Sequence, residues 1–398
     1  MREDNPLREL TLEELQRRTS VKWRSHPPDV LPLSVAEMDV RLPACVVRAI
    51  TDAASSGDTG YANGPLATSR YASAYAAFAA ARWGWEMNPA HCCAVPDVLR
   101  GFVGLLRALS HPGDAVVLNY PSYPLFSQLA RSLGRAVVPA VLGDDGRLDF
   151  RSLAFAFEEA VRGGRGAVFL LCSPHSPTGT VHRTVELAEA VDLAGQFGVR
   201  VVADEAHAPL TLAGARFVPL LSVPGSTSAF SLVSAGKAFN LGGLKAALVV
   251  AGPRASANLV KLRMEDVLGC SHLSVIAHCA ALTEGHRWLD NLLSGLDGNR
   301  RLLGALQRRW LPEVSYRPAQ GTYFAWLDCR GLQLARDPAE VFLEFGRVAV
   351  ISGADYGQGG AGHVRLNLAT TPEVLTQAVR RMAQAVGPRP ADRRGTQA

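Results

Sequence analysis

Between residues 115 and 203 one pattern repeats: a short apolar run without alternation, then a longer stretch with helical spacing. The runs at 115–118, 136–141, 167–171 and 199–203 read as strands, and 123–133, 148–162 and 185–197 read as helices. A strand that is apolar at every position has to be covered on both faces, and helical crossovers make successive strands parallel. That combination restricts the chain to an α/β architecture. It also says where a ligand goes, because open parallel sheets bind at the carboxyl ends of their strands. Three strand ends carry the least ordinary residues of the chain, at 173–179, 204–207 and 234–237.

The flanking segments are less regular. Residues 43–54 have a helical pattern, 60–65 (Gly-Tyr-Ala-Asn-Gly-Pro) are turn chemistry, and 69–85 read as an alanine- and aromatic-rich amphipathic helix. A short strand ends at 94–96, after which Asp97 stands where it can cap a helix over 98–109. Apolar runs at 229–233 and 246–251 read as further strands, and a long helical stretch covers about 255–310. Gly321 opens an aromatic-rich strand at 322–327. The expected division is an N-terminal arm (1–45) contributing to a small domain, a large domain (46–287), a small C-terminal domain (288–386) and a disordered, proline- and charge-rich tail (387–398).

Composition narrows the partners. A net charge of +5 with no basic block argues against nucleic acid and for small anionic ligands. The N-terminus is charged from its start and no run of ~18 apolar residues occurs, so neither secretion nor a membrane span is expected. Seven cysteines without a CxxC pair read as reduced thiols in a cytoplasm.

Chemistry concentrates around Lys237. A lysine amine becomes a useful nucleophile only when it is desolvated and held, and the small residues before it (Ser234, Ala235, Gly236) allow close approach to the backbone. Asp204 ends a buried strand, where a carboxylate can hold a heteroaromatic N–H⁺ and keep a ring cationic. Taken singly these residues have plainer readings: a surface lysine, a capping aspartate, a core histidine at 207. Asp204, Glu205 and His207 have no further ligand cluster beside them, so no metal is expected.

Six segments in order carry a resemblance: Ser20-Val21-Lys22-Trp23, 31–39 (LPLSVAEMD), Gly60-Tyr61, 203–207, 237–244 (KAFNLGGL) and 322–328 (TYFAWLD). Together with the Pro-Thr-Gly turn at 177–179, they resemble pyridoxal 5'-phosphate (PLP) enzymes of fold type I, the aspartate aminotransferase superfamily. Within that superfamily they resemble the bacterial cystathionine β-lyase group typified by MalY and PatB. The resemblance implies a large domain with a mostly parallel seven-stranded sheet covered by helices, plus a smaller α+β domain. It implies that Lys237 binds the cofactor covalently and moves the proton at the substrate α-carbon, and that Asp204 holds the pyridinium nitrogen. Tyr123 would stack on the ring, with His207 and Ser176 near the phenolic oxygen. Backbone N–H groups of Val98 and Leu99 would cradle the phosphate, helped by Ser234 and Lys245. Arg365 would take the substrate carboxylate as a bidentate pair, with Glu37 also on the substrate side. Tyr61 would reach the active site of a neighbouring subunit, which implies a homodimer.

Five positions depart from the family pattern. Ser176 replaces an asparagine, Asp97 a glycine in the phosphate loop, Gly236 a serine, Lys245 an arginine and Glu37 an aspartate. An anion at position 97 would repel phosphate unless it turns away as a cap. The departures imply a cofactor that is bound but electronically retuned, and Ser176→Asn tests this through the absorption spectrum and product ratio. The implied reaction is C–S β-elimination from an S-substituted cysteine, giving thiol, pyruvate and ammonia, in bacterial specialised metabolism. An oxygen-dependent decarboxylating deamination to an aldehyde, an aminotransferase and an effector-sensing role without turnover are the alternatives.

Overall fold

The computed structural model describes residues 5–267 and 269–387, so the expected tail from 388 onward lies outside the described residues. The arm contributes β1 (Leu31–Pro32). The large sheet holds β2 (Cys92–Val95), β3 (Ala115–Tyr120), β4 (Ala136–Val141), β5 (Ala167–Cys172), β6 (Arg200–Asp204), β7 (Phe230–Val233) and β8 (Ala247–Ala251). Its order is β2-β8-β7-β6-β5-β3-β4, and only β8 runs antiparallel to its neighbours. This is the expected seven-stranded, mostly parallel sheet.

The unbroken apolar runs are explained by the two faces. Val117, Phe169, Leu171, Val201 and Ala203 pack in one core, under helices Phe150–Val161 and Thr184–Gln196. The residues between them, Val116, Leu118, Val168, Leu170 and Val202, point the other way and pack under helices Val98–Leu109 and Pro124–Ser132. Each valine, leucine or phenylalanine among them contributes ~1.5–3 kcal/mol on leaving water, so neither face tolerates a polar residue cheaply.

Beyond the sheet, β9 (Ser315–Tyr316), β10 (Phe324–Asp328), β11 (Val348–Ala349), β12 (Ile351–Ser352) and β13 (His363–Asn367) complete the strands. Four of them form an antiparallel sheet in the order β12-β13-β10-β9, while β11 pairs in parallel with β1 of the arm.

Three expectations are corrected. The helix predicted at 69–85 spans Gly64–Trp83, because the Asn63 side chain accepts from the Leu66 N–H and Pro65 suits the first turn. The long helical stretch over 255–310 is broken into Ser256–Lys261, Met264–Val267, His272–Glu284 and His286–Trp310. The seam at Gly285 is a close contact: a Cβ there would lie 2.4 Å from the Ala281 carbonyl and 2.7 Å from the Phe239 ring. The arm has more structure than its composition suggested, with short helices Leu12–Gln16 and Val21–Arg24 and a Thr11–Glu14 capping box.

The arm is held by buried apolar side chains, among them Leu7, Leu31, Leu33 and Met38, and by a set of buried polar groups. Lys22 Nζ lies 2.8 Å from the Asp39 carboxylate and donates to the Glu37 carbonyl at 3.2 Å; Trp23 Nε1 donates to Asp39 at 2.9 Å. Both members of the ion pair are wholly buried. Asn240, held at φ 57°, accepts from the Met38 N–H and donates to its carbonyl, tying the arm to the turn after Lys237.

Candidate active site

The carboxyl ends of β5, β6 and β7 open into a cavity of about 790 Å³. Of the residues singled out from sequence, Lys237, Asp204, His207, Tyr123, Val98, Leu99, Ser176, Ser234, Lys245, Arg365 and Glu37 all line it. Tyr61 does not. It is fully exposed in the turn before helix Gly64–Trp83, outside its own chain's cavity.

Asp204 is the last residue of β6, and one of its oxygens accepts the Ala206 N–H at 3.0 Å. Burial raises its pKa to about 6, against the opposing effects of that N–H and of Lys237. Lys237 is shifted the other way, to about 8, by burial first and then by the Arg365 guanidinium, while Asp204 and Glu37 oppose the shift. The cavity thus holds a carboxylate that lacks a full counter-charge and an amine that is partly neutral near physiological pH. His207 is buried and kept neutral, its pKa driven well down by burial and then by Lys237 and Arg365. Its Nδ1 has no partner, and its ring packs edge-on against Tyr323 and Phe324.

Tyr123 directly precedes helix Pro124–Ser132, with its ring edge-on to Phe126 at 5.7 Å and its phenol pushed up by burial. Arg365 lies in the middle of β13, where Nη2 donates to the Ser34 carbonyl at 2.7 Å and the guanidinium sits 4.0 Å from the Phe324 ring centre. Its Nε is buried without a partner, a charged donor left over in the cavity wall. The arm supplies the facing wall: Tyr323 donates to the Ala36 carbonyl at 2.9 Å, and Asn367 donates to the Val35 and Glu37 carbonyls, both at 2.7 Å. The Glu37 carboxylate accepts from Ser20 at 2.6 Å.

At the other end, Asp97 turns aside. One oxygen caps Val98–Leu109 by accepting the Arg100 N–H at 2.8 Å, and the other takes Lys245 Nζ at 3.0 Å. The first N–H groups of that helix, on Val98 and Leu99, have no partner within it and lie at its positive end. Ser234 donates to the Ala246 carbonyl at 2.7 Å and accepts the Gly236 N–H at 3.0 Å. A Cβ at position 236 would stand 3.1 Å from that Ser234 oxygen, a tight contact to which Ser234 would have to give way slightly.

Sequence reasoning missed Asn240, Phe324, Asp355, Tyr356, Tyr71 and His278, all of which line the cavity or bond to segments that do. Asn240 and Phe324 lie inside segments that had been singled out as motifs; the other four carry no local signal. Among the described residues, no group of three histidine, cysteine or acidic side chains is placed to hold a metal ion.

PLP brings a pyridinium, an aldehyde and a phosphate, which call for a buried anion, a lysine amine and a helix N-terminus. Asp204, Lys237 and the Val98–Leu109 terminus meet those needs in one cavity, so the residues present fit the cofactor. The chain is a PLP-dependent enzyme of fold type I. Comparison with known proteins narrows this. Residues 28–382 match the family model for aminotransferase class I and II. The chain is 51% identical to a Mycobacterium tuberculosis protein named "Putative cystathionine beta-lyase", over 96% of this chain and 98% of that one. It is 32% identical to the cystathionine beta-lyase of Corynebacterium glutamicum, covering 94% and 99%. A crystal structure from Corynebacterium diphtheriae, described as a "putative plp-dependent beta-cystathionase", superposes with a TM-score of 0.86 at 32% identity, covering 95% and 98%. The chain belongs to the aminotransferase class I and II family, and within it to the cystathionine β-lyase-like, PLP-dependent C–S lyases.

Proposed function

We propose that the chain is a C–S β-lyase that converts an S-substituted L-cysteine and water to a thiol, pyruvate and ammonia, working as a cytoplasmic homodimer. What supports this reading is that Lys237 and Arg365, with its unpartnered Nε, line one cavity. An amino acid whose carboxylate pairs with Arg365 then has its α-carbon beside Lys237.

PLP supplies a carbonyl that condenses with amines and a ring that draws electrons from bonds at the α-carbon. This chain's residues do the rest. Arg365 orients the carboxylate through its unpartnered Nε. Lys237 would take the α-proton and hand a proton to the departing sulfur. Asp204 would hold the ring N–H⁺ of the cofactor, which would offset the cost of its own burial. Tyr123 would lie against the ring, and the Val98 and Leu99 N–H groups with Ser234 and Lys245 would take the phosphate. Tyr61, exposed on its own chain, serves the partner's site. A cavity of about 790 Å³ leaves room for a sizeable group on sulfur.

Ser176 supports a second outcome. It lines the cavity where the family pattern has asparagine, and a shorter side chain there would change how charge is held on a bound ring. Purified protein supplied with a panel of S-substituted cysteines, in air and under nitrogen, separates the outcomes by mass spectrometry. Thiol and pyruvate in equal amounts, indifferent to oxygen, are expected. Carbon dioxide with an aldehyde formed only in air refutes elimination in favour of oxidative decarboxylation. A keto acid that retains its sulfur means transamination.

A further inference from the structure

Behind the lysine turn, two residues outside every recognised motif form a buried hydrogen-bonded chain. Tyr71 lies in helix Gly64–Trp83 and His278 in helix His272–Glu284, and neither side chain reaches solvent. His278 Nε2 is 2.7 Å from the Leu244 carbonyl oxygen; a carbonyl only accepts, so Nε2 carries the hydrogen. Nδ1 is then the acceptor and takes the Tyr71 hydroxyl hydrogen at 2.9 Å. With that hydrogen committed, the Tyr71 oxygen accepts the Ala235 N–H at 3.3 Å. The Ala246 carbonyl, at 3.5 Å from the same hydroxyl, is a longer second acceptor and belongs to the same 244–246 segment.

The ends of this chain matter. Ala235 lies two residues before Lys237, and Leu244 lies immediately before Lys245. The Tyr71–His278 chain therefore spans the gap between the backbone that carries the nucleophilic lysine and the backbone that carries the phosphate-side cation. Ser234 closes the same gap a second time, through the Ala246 carbonyl. Burial holds His278 neutral, with its pKa pushed down to about 4, and pushes the Tyr71 phenol up, so donor and acceptor keep their roles at working pH. Cys270 and Cys279, which lie near Tyr71, are held as thiols by burial.

We propose that Tyr71 and His278 are positioning residues that set the spacing between the Lys237 turn and the 244–246 segment, and so the fit of the cofactor's aldehyde and phosphate to their partners. The proposal rests on cofactor binding and is independent of which reaction follows.

The test is titration of cofactor-free protein with PLP. Tyr71→Phe keeps the ring but strips the Ala235 N–H and His278 Nδ1 of their partner. It should weaken PLP binding about tenfold, the scale of one lost buried hydrogen bond, and move the pH at which the bound cofactor's absorbance shifts. At saturating PLP the KM for substrate should stay within about twofold of wild type, which a general loosening of the site would not allow. His278→Gln keeps a donor for Leu244 but offers Tyr71 no ring nitrogen, and should lose affinity in the same direction. Tyr75→Phe is the control, a fully buried tyrosine one turn along the same helix whose hydroxyl has no partner; it should bind PLP as wild type does. Wild-type affinity in both Tyr71→Phe and His278→Gln, or an equal loss in Tyr75→Phe, overturns the proposal. If Tyr71→Phe does not fold, His278→Gln decides by the same readouts.

Discussion

Asp39→Asn should be the most damaging single conservative change in the arm. Asp39 is the sole carboxylate against Lys22, at 2.8 Å, and also accepts from Trp23 at 2.9 Å, with both charged side chains fully out of solvent. An asparagine of the same shape still accepts from Trp23. It leaves the Lys22 ammonium with only the Glu37 carbonyl at 3.2 Å. Removing one member of a buried pair costs ~3–5 kcal/mol because the other charge stays buried and uncompensated. Against a typical total of ~5–15 kcal/mol this is a large fraction. At ~2–4 °C per kcal/mol for domains of 150–250 residues, the midpoint should fall by roughly 6–20 °C. Residues 34–37 line the cavity and Ser34 accepts from Arg365, the proposed carboxylate partner, so KM for substrate should rise more than PLP affinity falls. Adding Lys22→Met removes the stranded charge and should restore more than half the loss, a coupling that a double-mutant cycle reads directly. The reasoning fails if Asp39→Asn melts within about 1 °C of wild type, or if the double variant is as unstable as the two singles summed.

Two further substitutions test the cavity. In cofactor-free protein, burial lifts Asp204 to about 6, so the native state binds a proton that the unfolded state, near ~3.9, does not. The stability this gives is complete below about pH 4 and is lost as pH rises through 6, so cofactor-free Asp204→Asn should be more stable than wild type by on the order of 3 kcal/mol at pH 7, with the gap closing near pH 4 in urea unfolding. Adding PLP should reverse the order at pH 7, because the ring cation pairs with aspartate and not with asparagine. Arg365→Lys keeps the charge but loses the planar fork, and should lower kcat/KM roughly 10–100-fold while leaving PLP affinity unchanged, measured by steady-state kinetics and titration.

The sheet was legible in the sequence because its physics is local. Val116 and Val117 face opposite cores, so both must be apolar, and the run announces a doubly covered strand. Helix Val98–Leu109 was readable for the same kind of reason, since Asp97 caps it by one short bond. The helix from Gly64 was read too short because Gly-Pro looked like a turn, when Asn63 and Pro65 in fact form an N-terminus. The 255–310 stretch hid its breaks because the need for glycine at 285 comes from Ala281 and Phe239, and the latter is distant in sequence. Motif recognition located Lys22, Trp23 and Asp39 without the reason for them, which is the buried ion pair that fixes the cavity wall. Tyr71 and His278 had no signal at all. Two helices far apart in sequence bring them together, and only the folded chain shows it.

The central claim is that Lys237 is the residue that holds PLP and that moves the substrate proton. Borohydride reduction of the PLP-loaded protein, followed by proteolysis and mass spectrometry, tests it directly. The account predicts one reduced cofactor per chain, attached to the peptide containing Lys237, with Lys237→Ala showing neither the adduct nor thiol release from an S-substituted cysteine. A cofactor adduct on Lys245 or another lysine, or undiminished thiol release by Lys237→Ala, would contradict it.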